Sequence, residues 1–573
     1  MNQAKRIPYG LANYGRLKRD NCYYVDKTHF IPAIEAAPYY LIFIRPRRFG
    51  KTLWLSTMEH YYDVHYRDQF DALFGDTFIG QNPTSDRNSY LVLSLNFSGV
   101  NPNIELVEAS FIAHIQQKLA AFLTRYAAYF NEQEQQQILS ASLMEGQLGH
   151  LFDLVEAKGL KTYLFIDEYD NFANTILTTE GEEAYWSLTH GGGFFRHFFG
   201  VLKKMTSGLT RLFITGVSPV TLDDVTSGFN IASNITLLPQ FNEMLGFNET
   251  ELRSVLADQP AFPLSMDESL HLMTEWYNHY RFAETATTEV YNSDMVWYFI
   301  LKTLAQNDLP KNLLDNNVRI DYNKLRHLML VDKRLNGNFS RLQQIIEQGE
   351  IISPIVESFP VEQLLRPENF ISLLFYFGLL SIAGTDEDEL ILRIPNLTVK
   401  ELMYGYIREG YRDAEVFRID FWSFARLVKE MAYQGEWRTV FEFLSEQIKA
   451  QTSIRDYLNG EKVIQGFLLA YLNVTNHFLL WSEKEMGGGF VDIYLEPFIA
   501  RYKGIQFGYL LELKYIPRHE FNEIKLQEKI QEAETQLHRY IHDSRITEIA
   551  KKITLKGLVL VYSGWELVYM GEI

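Results

Sequence analysis

Four short apolar runs, each ending in polar residues, set the pattern of the first half of the chain. Tyr39–Ile44 (YYLIFI) has no interior Pro or Gly and predicts a buried strand; it breaks at Arg45-Pro46 and gives way to a helix at Gly50-Lys51-Thr52. Tyr90–Asn96 (YLVLSLN), Thr162–Ile166 within KTYLFIDEYD, and Arg211–Val217 (RLFITGV) read as further strands. Helical periodicity fills the gaps over Glu105–Tyr129, Glu134–Ala157 and Glu182–Thr206. Alternation of strand and helix through residues 1–245 predicts an α/β layer structure.

From Asn248 the pattern turns helical. In NETELRSVL, Asn248 is placed to cap a helix and Glu251, three residues on, to complete a capping box. Pro367–Phe377 reads as a helix, and Gly378–Asn396 as two strands joined by an acidic turn and closed by a Pro-Asn stop. That suggests a winged-helix-like module. With Asp386–Glu389 at its tip, phosphates would be repelled, so it reads as a hinge and not as a DNA reader. Phe421–Ala450 forms a helical connector. The C-terminal unit then reads as helix Glu461–Leu472, strands Gly489–Tyr494 and Tyr509–Lys514, helix Glu520–Tyr540, and strands Gly557–Tyr562 and Glu566–Tyr569.

The polar ends of the strands carry the candidate chemistry. A strand, a loop and a helix opening on Gly-Lys-Thr are the parts of a nucleotide phosphate site. The Arg47-Arg48-Phe49-Gly50 backbone would wrap the phosphates, Lys51 supply a point charge, and the Thr52 hydroxyl ligate Mg²⁺. Arg45 stands where the generic pattern has its first glycine. Phosphoryl transfer also needs a carboxylate on the Mg²⁺ water shell and a group to orient the attacking water. Asp167 and Glu168, adjacent at a strand end, diverge enough to do both. The next strand, Arg211–Val217, ends in Thr215 and Ser218, where a polar sensor of the γ-phosphate would sit. Near the C-terminus, Glu512 and Lys514 lie at i and i+2 on one strand face, and pairing with the preceding strand would set Asp492 beside them. Two carboxylates and a lysine there could hold Mg²⁺ and a metal-activated water, with Lys514 steadying the nucleophile or the scissile phosphate. Otherwise the segment is an amphipathic strand with a Glu–Lys pair.

These segments resemble a known family. RPRRFGKT, the upstream YYVDKT (Tyr23–Thr28), FIDEYD and TGVSPVTLDDVTSGFNI (Thr215–Ile231) look like the AAA-ATPase-like family of bacterial proteins, which commonly carry a C-terminal PD-(D/E)XK nuclease-like domain. The substituted first glycine is itself a feature of that family. WYNHYRF (Trp276–Phe282) and VYNSDMV (Val290–Val296) resemble two further family segments, with His279 in place of a glycine and Ser293 in place of a proline. The resemblance makes Arg281 the candidate lid arginine reaching to the nucleotide, the other reading being packing on Trp276. The lead-in EMGGGFVD (Glu485–Asp492), with Phe490 in place of the usual arginine, and Gln536 and Tyr540 on the next helix, are similar to the nuclease pattern; Glu461 stands where that superfamily often adds a metal carboxylate.

The resemblance implies an α/β multidomain chain divided as P-loop AAA-like ATPase core (1–245), helical lid (246–330), winged-helix-like module (331–415), helical connector (416–451) and PD-(D/E)XK nuclease-like domain (452–573). It implies ATP and Mg²⁺, with Mn²⁺ an alternative at the nuclease-like site. It also implies action on nucleic acid through a local C-terminal site, in defence against mobile DNA, and assembly into a homo-oligomer. The alternative function is a nucleotide-gated interaction or signalling protein whose C-terminal domain binds without cleaving.

Composition narrows these expectations. At 573 residues and 47% hydrophobic content the chain exceeds one core and is not disordered. Apolar runs fall short of a membrane span and no apolar leader is visible, so a cytoplasmic location and no membrane partner are expected. A single cysteine, Cys22, excludes an intramolecular disulfide and multi-thiolate zinc. The net charge of −18 argues against a sequence-blind nucleic-acid coat protein, so any such contact must be local. The fourteen histidines show no HExxH or Cys/His spacing and read as surface or core residues.

Overall fold

The computed structural model describes residues 5–221, 224, 230–259, 262–315, 317–318, 330–331, 334–335, 337–486, 489–541 and 551–573. Packing divides the chain into two units, residues 1–315 with 352–395, and residues 316–351 with 396–573. The stretch 331–415, read in sequence as one module, thus contributes to both. Among the described residues no helix is long and apolar enough to cross a membrane.

The first unit is built on a parallel sheet of β1 (Tyr40–Ile44), β2 (Leu91–Asn96), β3 (Thr162–Asp167), β4 (Arg211–Gly216) and β5 (Ser233–Asn234), in the order β2-β3-β4-β1-β5. Every residue of β3 and β4 is buried, which is why these strands read as continuous apolar runs without alternation. The strand separating β1 from β3 is β4. The run at Tyr90–Asn96, which lies between them in the chain, sits instead at the sheet edge beside β3. Register sets Phe43 beside Thr215 and Asn96 beside Asp167, so the chemistry-bearing residues line up along the carboxyl ends of the strands, where open α/β sheets bind ligands.

Two of the predicted long helices are broken. Glu134–Ala157 is split into Glu132–Leu139 and Met144–Ala157 across Ser140-Ala141-Ser142, and Glu182–Thr206 into Glu182–Thr189 and Phe194–Lys204 across His190-Gly191-Gly192-Gly193. Gly191 takes a left-handed φ of 57°, which a continuing helix cannot accommodate. The Asn248 capping box forms, and Glu251 also accepts from the buried Lys27 ammonium of the YYVDKT segment at 2.7 Å. His279 adopts φ 69°, the left-handed conformation in which glycine is cheapest, and its Nδ1 pairs with Glu289. The helix Pro367–Tyr376 leads to the antiparallel strands Ser381–Asp386 and Glu389–Arg393, joined through Glu387 and Asp388 at φ 51° and 98°. Asn396 does not stop the chain but caps the next helix, Leu397–Asp413.

The second unit holds a mixed sheet of β6 (Phe478–Met486), β7 (Gly489–Pro497), β8 (Phe507–Ile516), β9 (Thr554–Ser563) and β10 (Glu566–Glu572), paired in chain order. Only β8 and β9 are parallel, and the helix Glu523–Tyr540 lies between them in the chain, as a parallel pair requires a crossover. Leu526, Ile530 and Leu537 of that helix pack on Val491, Leu510, Val559 and Val561. The edge strand β6 escaped the sequence reading because its second half, Ser482–Glu485, is polar and only half-buried or exposed. The connector Phe421–Ala450 is two helices, Phe421–Gln434 and Arg438–Ala450, separated by Gly435 in the left-handed conformation.

Candidate functional site

The helix Lys51–Tyr62 opens on Gly50 at φ 93°, and Arg48 precedes it at φ 68°. Two left-handed residues in a four-residue span turn the chain sharply enough to aim the first helical N–H groups at the loop's concavity, a ready anion site. Lys51 is buried and donates to the backbone carbonyls of Arg45 at 2.9 Å and Pro46 at 3.0 Å. Burial pushes its ammonium down to about 8, partly offset by Asp167. Arg48 reaches away to Asp294, and its carbonyl accepts from Asp294 N–H at 3.3 Å. Phe49 is a core residue, edge-on to Tyr280 and Phe282. Of the loop, then, the backbone and Lys51 face the concavity, while Arg48 and Phe49 tether it.

Arg45 is fully buried and serves the fold. Its guanidinium donates to the carbonyls of Ile44 at 3.0 Å, Thr236 at 2.8 Å and Phe241 at 3.0 Å, and lies between the rings of Phe43 and Phe282 at 4.2 and 4.3 Å. Burial pushes it down to about 9. Arg45→Gly, which restores the generic first glycine, therefore empties a large buried site and frees three carbonyls. We expect a loss of about 3–5 kcal/mol, read by denaturant unfolding; an unchanged midpoint would refute the anchoring role.

At the end of β3, Asp167 Oδ2 accepts from Thr52 Oγ1 at 2.8 Å and from Asn96 Nδ2 at 3.1 Å. Burial pushes its carboxyl up to about 6, against the pull of Thr52 and Lys51. Glu168 is held at φ 49°, sparsely populated for a non-glycine residue, and Asn171 donates to its carboxylate at 2.8 Å. Asn96 and Asn171 were not singled out in the sequence; the strand end at Asn96 was the only available signal. Thr215 is buried beside this end of the sheet, and its hydroxyl has no hydrogen-bond partner among the described residues. Ser218 is otherwise engaged: its N–H donates at 2.7 Å to Asp170, a buried carboxylate that also accepts from Val217 N–H and Asn174 and so ties the ends of β3 and β4 together. A cleft lined by Tyr23, Lys27, Gly50, Leu53, Phe247 and Trp297 adjoins the loop. Arg281 donates to the carbonyls of Ile382 at 3.1 Å and Ala286 at 3.4 Å, which fixes the guanidinium on the 381–386 strand. Residues 222–223 and 225–229 of the Thr215–Ile231 motif lie outside the described residues.

In the second unit the antiparallel pairing of β7 with β8 runs through Ile493 and Leu511, which brings Asp492 opposite Glu512 just past the last pair. Asp492 Oδ2 accepts from Leu513 N–H at 2.7 Å, and Asp492 N–H approaches Glu512 Oε1 at 3.4 Å. Lys514 Nζ donates to Glu512 Oε2 at 3.1 Å and to Leu513 O at 3.2 Å. Glu512 is wholly buried, and burial together with Asp492 pushes its carboxyl up to about 8. Burial also raises Glu461 and Asp492, while neighbouring carboxylates hold Lys514 above its ordinary value. Glu461 begins the helix Glu461–Leu472, within electrostatic reach of Lys514 and Asp492. Gln465, which sequence did not single out, donates to the Asp492 carbonyl and to Glu483. Tyr540 donates to the Phe490 carbonyl at 2.9 Å, and the Phe490 ring is exposed. Residues 487–488 of the glycine-rich lead-in lie outside the described residues.

Comparison with known proteins finds a family for each of the two regions. Residues 8–226 match the family described as predicted AAA-ATPase, and residues 459–572 match the PD-(D/E)XK nuclease superfamily. The chain joins an AAA-ATPase-like domain to a PD-(D/E)XK nuclease-like domain. An uncharacterized protein in the vnfD 5′ region of Azotobacter chroococcum mcd 1 is 27% identical over 293 residues, which is 50% of this chain and 50% of that protein, so the match spans about half the length of the relative. Among solved structures, a Walker-type ATPase of Pyrococcus abyssi covers 70% of this chain and 99% of its own at 10% identity and a TM-score of 0.40. Cdc6p from Pyrobaculum aerophilum covers 71% and 97% at 13% identity and a TM-score of 0.26.

Proposed function

We propose that the AAA-ATPase-like domain binds and hydrolyses ATP, and that its nucleotide state governs a divalent-metal-dependent nuclease in the C-terminal domain acting on nucleic acid. The observation that carries the reading is the Asp492–Glu512–Lys514 set at the end of the β7–β8 ladder, with Glu512 and Lys514 buried and Asp492 half-buried. Lys514 Nζ donates to Glu512 Oε2 at 3.1 Å, and Asp492, opposite Glu512, accepts from the Leu513 amide at 2.7 Å.

In the ATPase-like domain the donor set fits Mg²⁺ and a triphosphate. Lys51, drawn back onto two loop carbonyls, is poised to exchange them for β- and γ-phosphate oxygens. Thr52 and Asp167 already meet across the position that the ion would take, and Mg²⁺ there would neutralise phosphate charge. Glu168, with Asn171 holding it, would orient the attacking water, and the unpartnered Thr215 hydroxyl would face the γ-phosphate. The cleft of Tyr23, Phe247 and Trp297 would receive the base. Arg281 would act through the strand it grips, relaying the nucleotide state, and not by direct contact.

In the nuclease-like domain Asp492, Glu512 and Glu461 would hold Mg²⁺ or Mn²⁺, which would supply a water of lowered pKa. Lys514 would steady that nucleophile or the scissile phosphate. Regulation by ATP requires the nucleotide to bind two arrangements of the chain with different affinity, so the effect must be reciprocal. A cytoplasmic homo-oligomer with a role in defence against mobile DNA is the setting we favour.

One observation favours the alternative, a nucleotide-gated protein whose C-terminal domain binds without cutting. Glu461, Asp492 and Glu512 do not each bring one ligand atom within 4.8 Å of the other two. Incubating the full chain with Mg²⁺ or Mn²⁺ and a panel of DNA and RNA, with and without ATP, separates the readings. Cleavage that needs the metal, responds to ATP and is lost in Glu512→Ala while ATP turnover persists is expected. Undiminished nucleic-acid binding without cleavage would establish the alternative.

A further inference from the structure

His190 stands at the break that ends the helix Glu182–Thr189. Its Nε2 lies 3.5 Å from Asp224 Oδ1 and 3.5 Å from Glu362 Oε1, and the three residues can place one ligand atom each within 4.8 Å of the others. Asp224 is buried, whereas His190 and Glu362 form a rim open to solvent. All three belong to the first unit but come from segments far apart in sequence.

The hydrogen bonds around the trio decide which atoms face inward. The Thr189 hydroxyl donates to the Tyr185 carbonyl at 3.0 Å, which spends its single proton. Its oxygen, 2.9 Å from His190 Nδ1, must then accept from an Nδ1–H. The remaining ring nitrogen, Nε2, turns its lone pair toward the two carboxylates. Tyr185 OH donates to the other oxygen of Asp224 at 2.7 Å and so orients Oδ1 toward the histidine.

Three acceptors converging on one point need a positive charge among them. A proton on Nε2 would draw one carboxylate in to about 2.7–2.9 Å. Both oxygens instead stand at 3.5 Å, shared evenly. Ligands of a tetrahedral ion with bonds of about 2.0–2.1 Å are separated by roughly 3.3–3.4 Å. We propose that His190, Asp224 and Glu362 form a binding site for a divalent transition ion of the Zn²⁺ class, with a fourth position open to water. The imidazole selects such an ion over Mg²⁺ or Ca²⁺, which take oxygen ligands. Tyr185 and Thr189 are positioning residues that fix one carboxylate and one tautomer. The ion clips the segment around residue 362 to the helix end at residue 190 and to the segment that follows β4.

The test uses the full chain carrying Asp492→Ala and Glu512→Ala, so that the C-terminal carboxylates do not contribute, with Co²⁺ as probe and no nucleotide. Equilibrium dialysis should give one Co²⁺ per chain with the visible bands of a four-coordinate ion, displaced by Zn²⁺ and insensitive to excess Mg²⁺. Adding His190→Ala should abolish the bands. Glu362→Ala, at the rim where folding is not at stake, should weaken binding at least about tenfold, and Tyr185→Phe by about 10- to 100-fold. Circular dichroism identifies any variant that fails to fold, in which case Glu362→Ala decides. Absence of bound Co²⁺ in the parent, or bands that survive both His190→Ala and Glu362→Ala, would overturn the site.

Discussion

Lys51→Ala should cost the chain its ATP binding. The ammonium is buried and hydrogen-bonded to two loop carbonyls, and burial has already brought its pKa down to about 8 against the pull of Asp167. An anion arriving at the helix start meets a desolvated cation whose attraction is not screened by water. Removing one partner of such a buried charge pair costs about 3–5 kcal/mol, roughly 10²- to 10⁴-fold in affinity. The substitution also strips the Arg45 and Pro46 carbonyls of their donor, so the empty loop should loosen as well. Asp167→Asn should weaken binding in Mg²⁺ but much less in its absence, because Thr52 then loses the carboxylate that it shares with the ion. Glu168→Gln should keep binding and slow turnover, since its carboxylate is held by Asn171 and not by Lys51 or Thr52. Titration calorimetry of the three variants with ATP, with and without Mg²⁺, reads all of this. Wild-type affinity in Lys51→Ala would remove the phosphate-loop assignment.

The second large effect is expected at Glu512, and it separates two carboxylates that sequence treats alike. Glu512 is pushed from an ordinary 4.5 to about 8, by burial first and by Asp492 second. The folded state therefore keeps a proton that the unfolded chain has already released between those values. The contribution of Glu512 to metal-free stability is full below about pH 4.5 and is lost as pH rises toward 8. Glu512→Gln cannot titrate, so the slope over that window should become shallower by the Glu512 share while that of other raised carboxyls such as Asp167 remains, and the variant should match or exceed the parent at neutral pH. Asp492→Ala should behave oppositely. Its carboxylate accepts from the Leu513 amide, and leaving that buried N–H without a partner costs about 1–3 kcal/mol. Both substitutions should abolish the metal-dependent rise in melting temperature. In the parent, metal affinity should climb with pH through about 8, with a proton released on binding. Denaturant unfolding from pH 4.5 to 8.5, with and without Mn²⁺, provides the readout. Equal pH slopes for parent and Glu512→Gln would show that Glu512 does not hold the proton.

Local signals carried much of this protein. Continuous apolar runs specified β1, β3 and β4 because a strand buried on both faces has no polar positions to interrupt it. Gly50-Lys51-Thr52 and Asp167-Glu168 were legible because a phosphate site needs particular residue types within a few positions of a strand end. The capping box at Asn248 and Glu251 was legible for the same reason: its physics is contained in four residues. Broken helices and the half-polar edge strand β6 were not, since a helix periodicity continues in phase across a short break.

Tertiary structure decided what depends on residues far apart in sequence. Strand order is one such property: apolar runs do not encode neighbours, and only packing placed β4 between β1 and β3. The role of Arg45 is another, because its three carbonyl partners include residues near 236 and 241 that no local pattern connects to it. So is the fate of Arg281, held by the strand at residue 382. The upward shifts of Glu512 and Asp167 follow from burial, which sequence registers only as an acidic residue next to apolar ones. The meeting of His190, Asp224 and Glu362 is the extreme case. Ligand spacing is readable only when one helix or loop supplies the ligands, and here three separate segments do so.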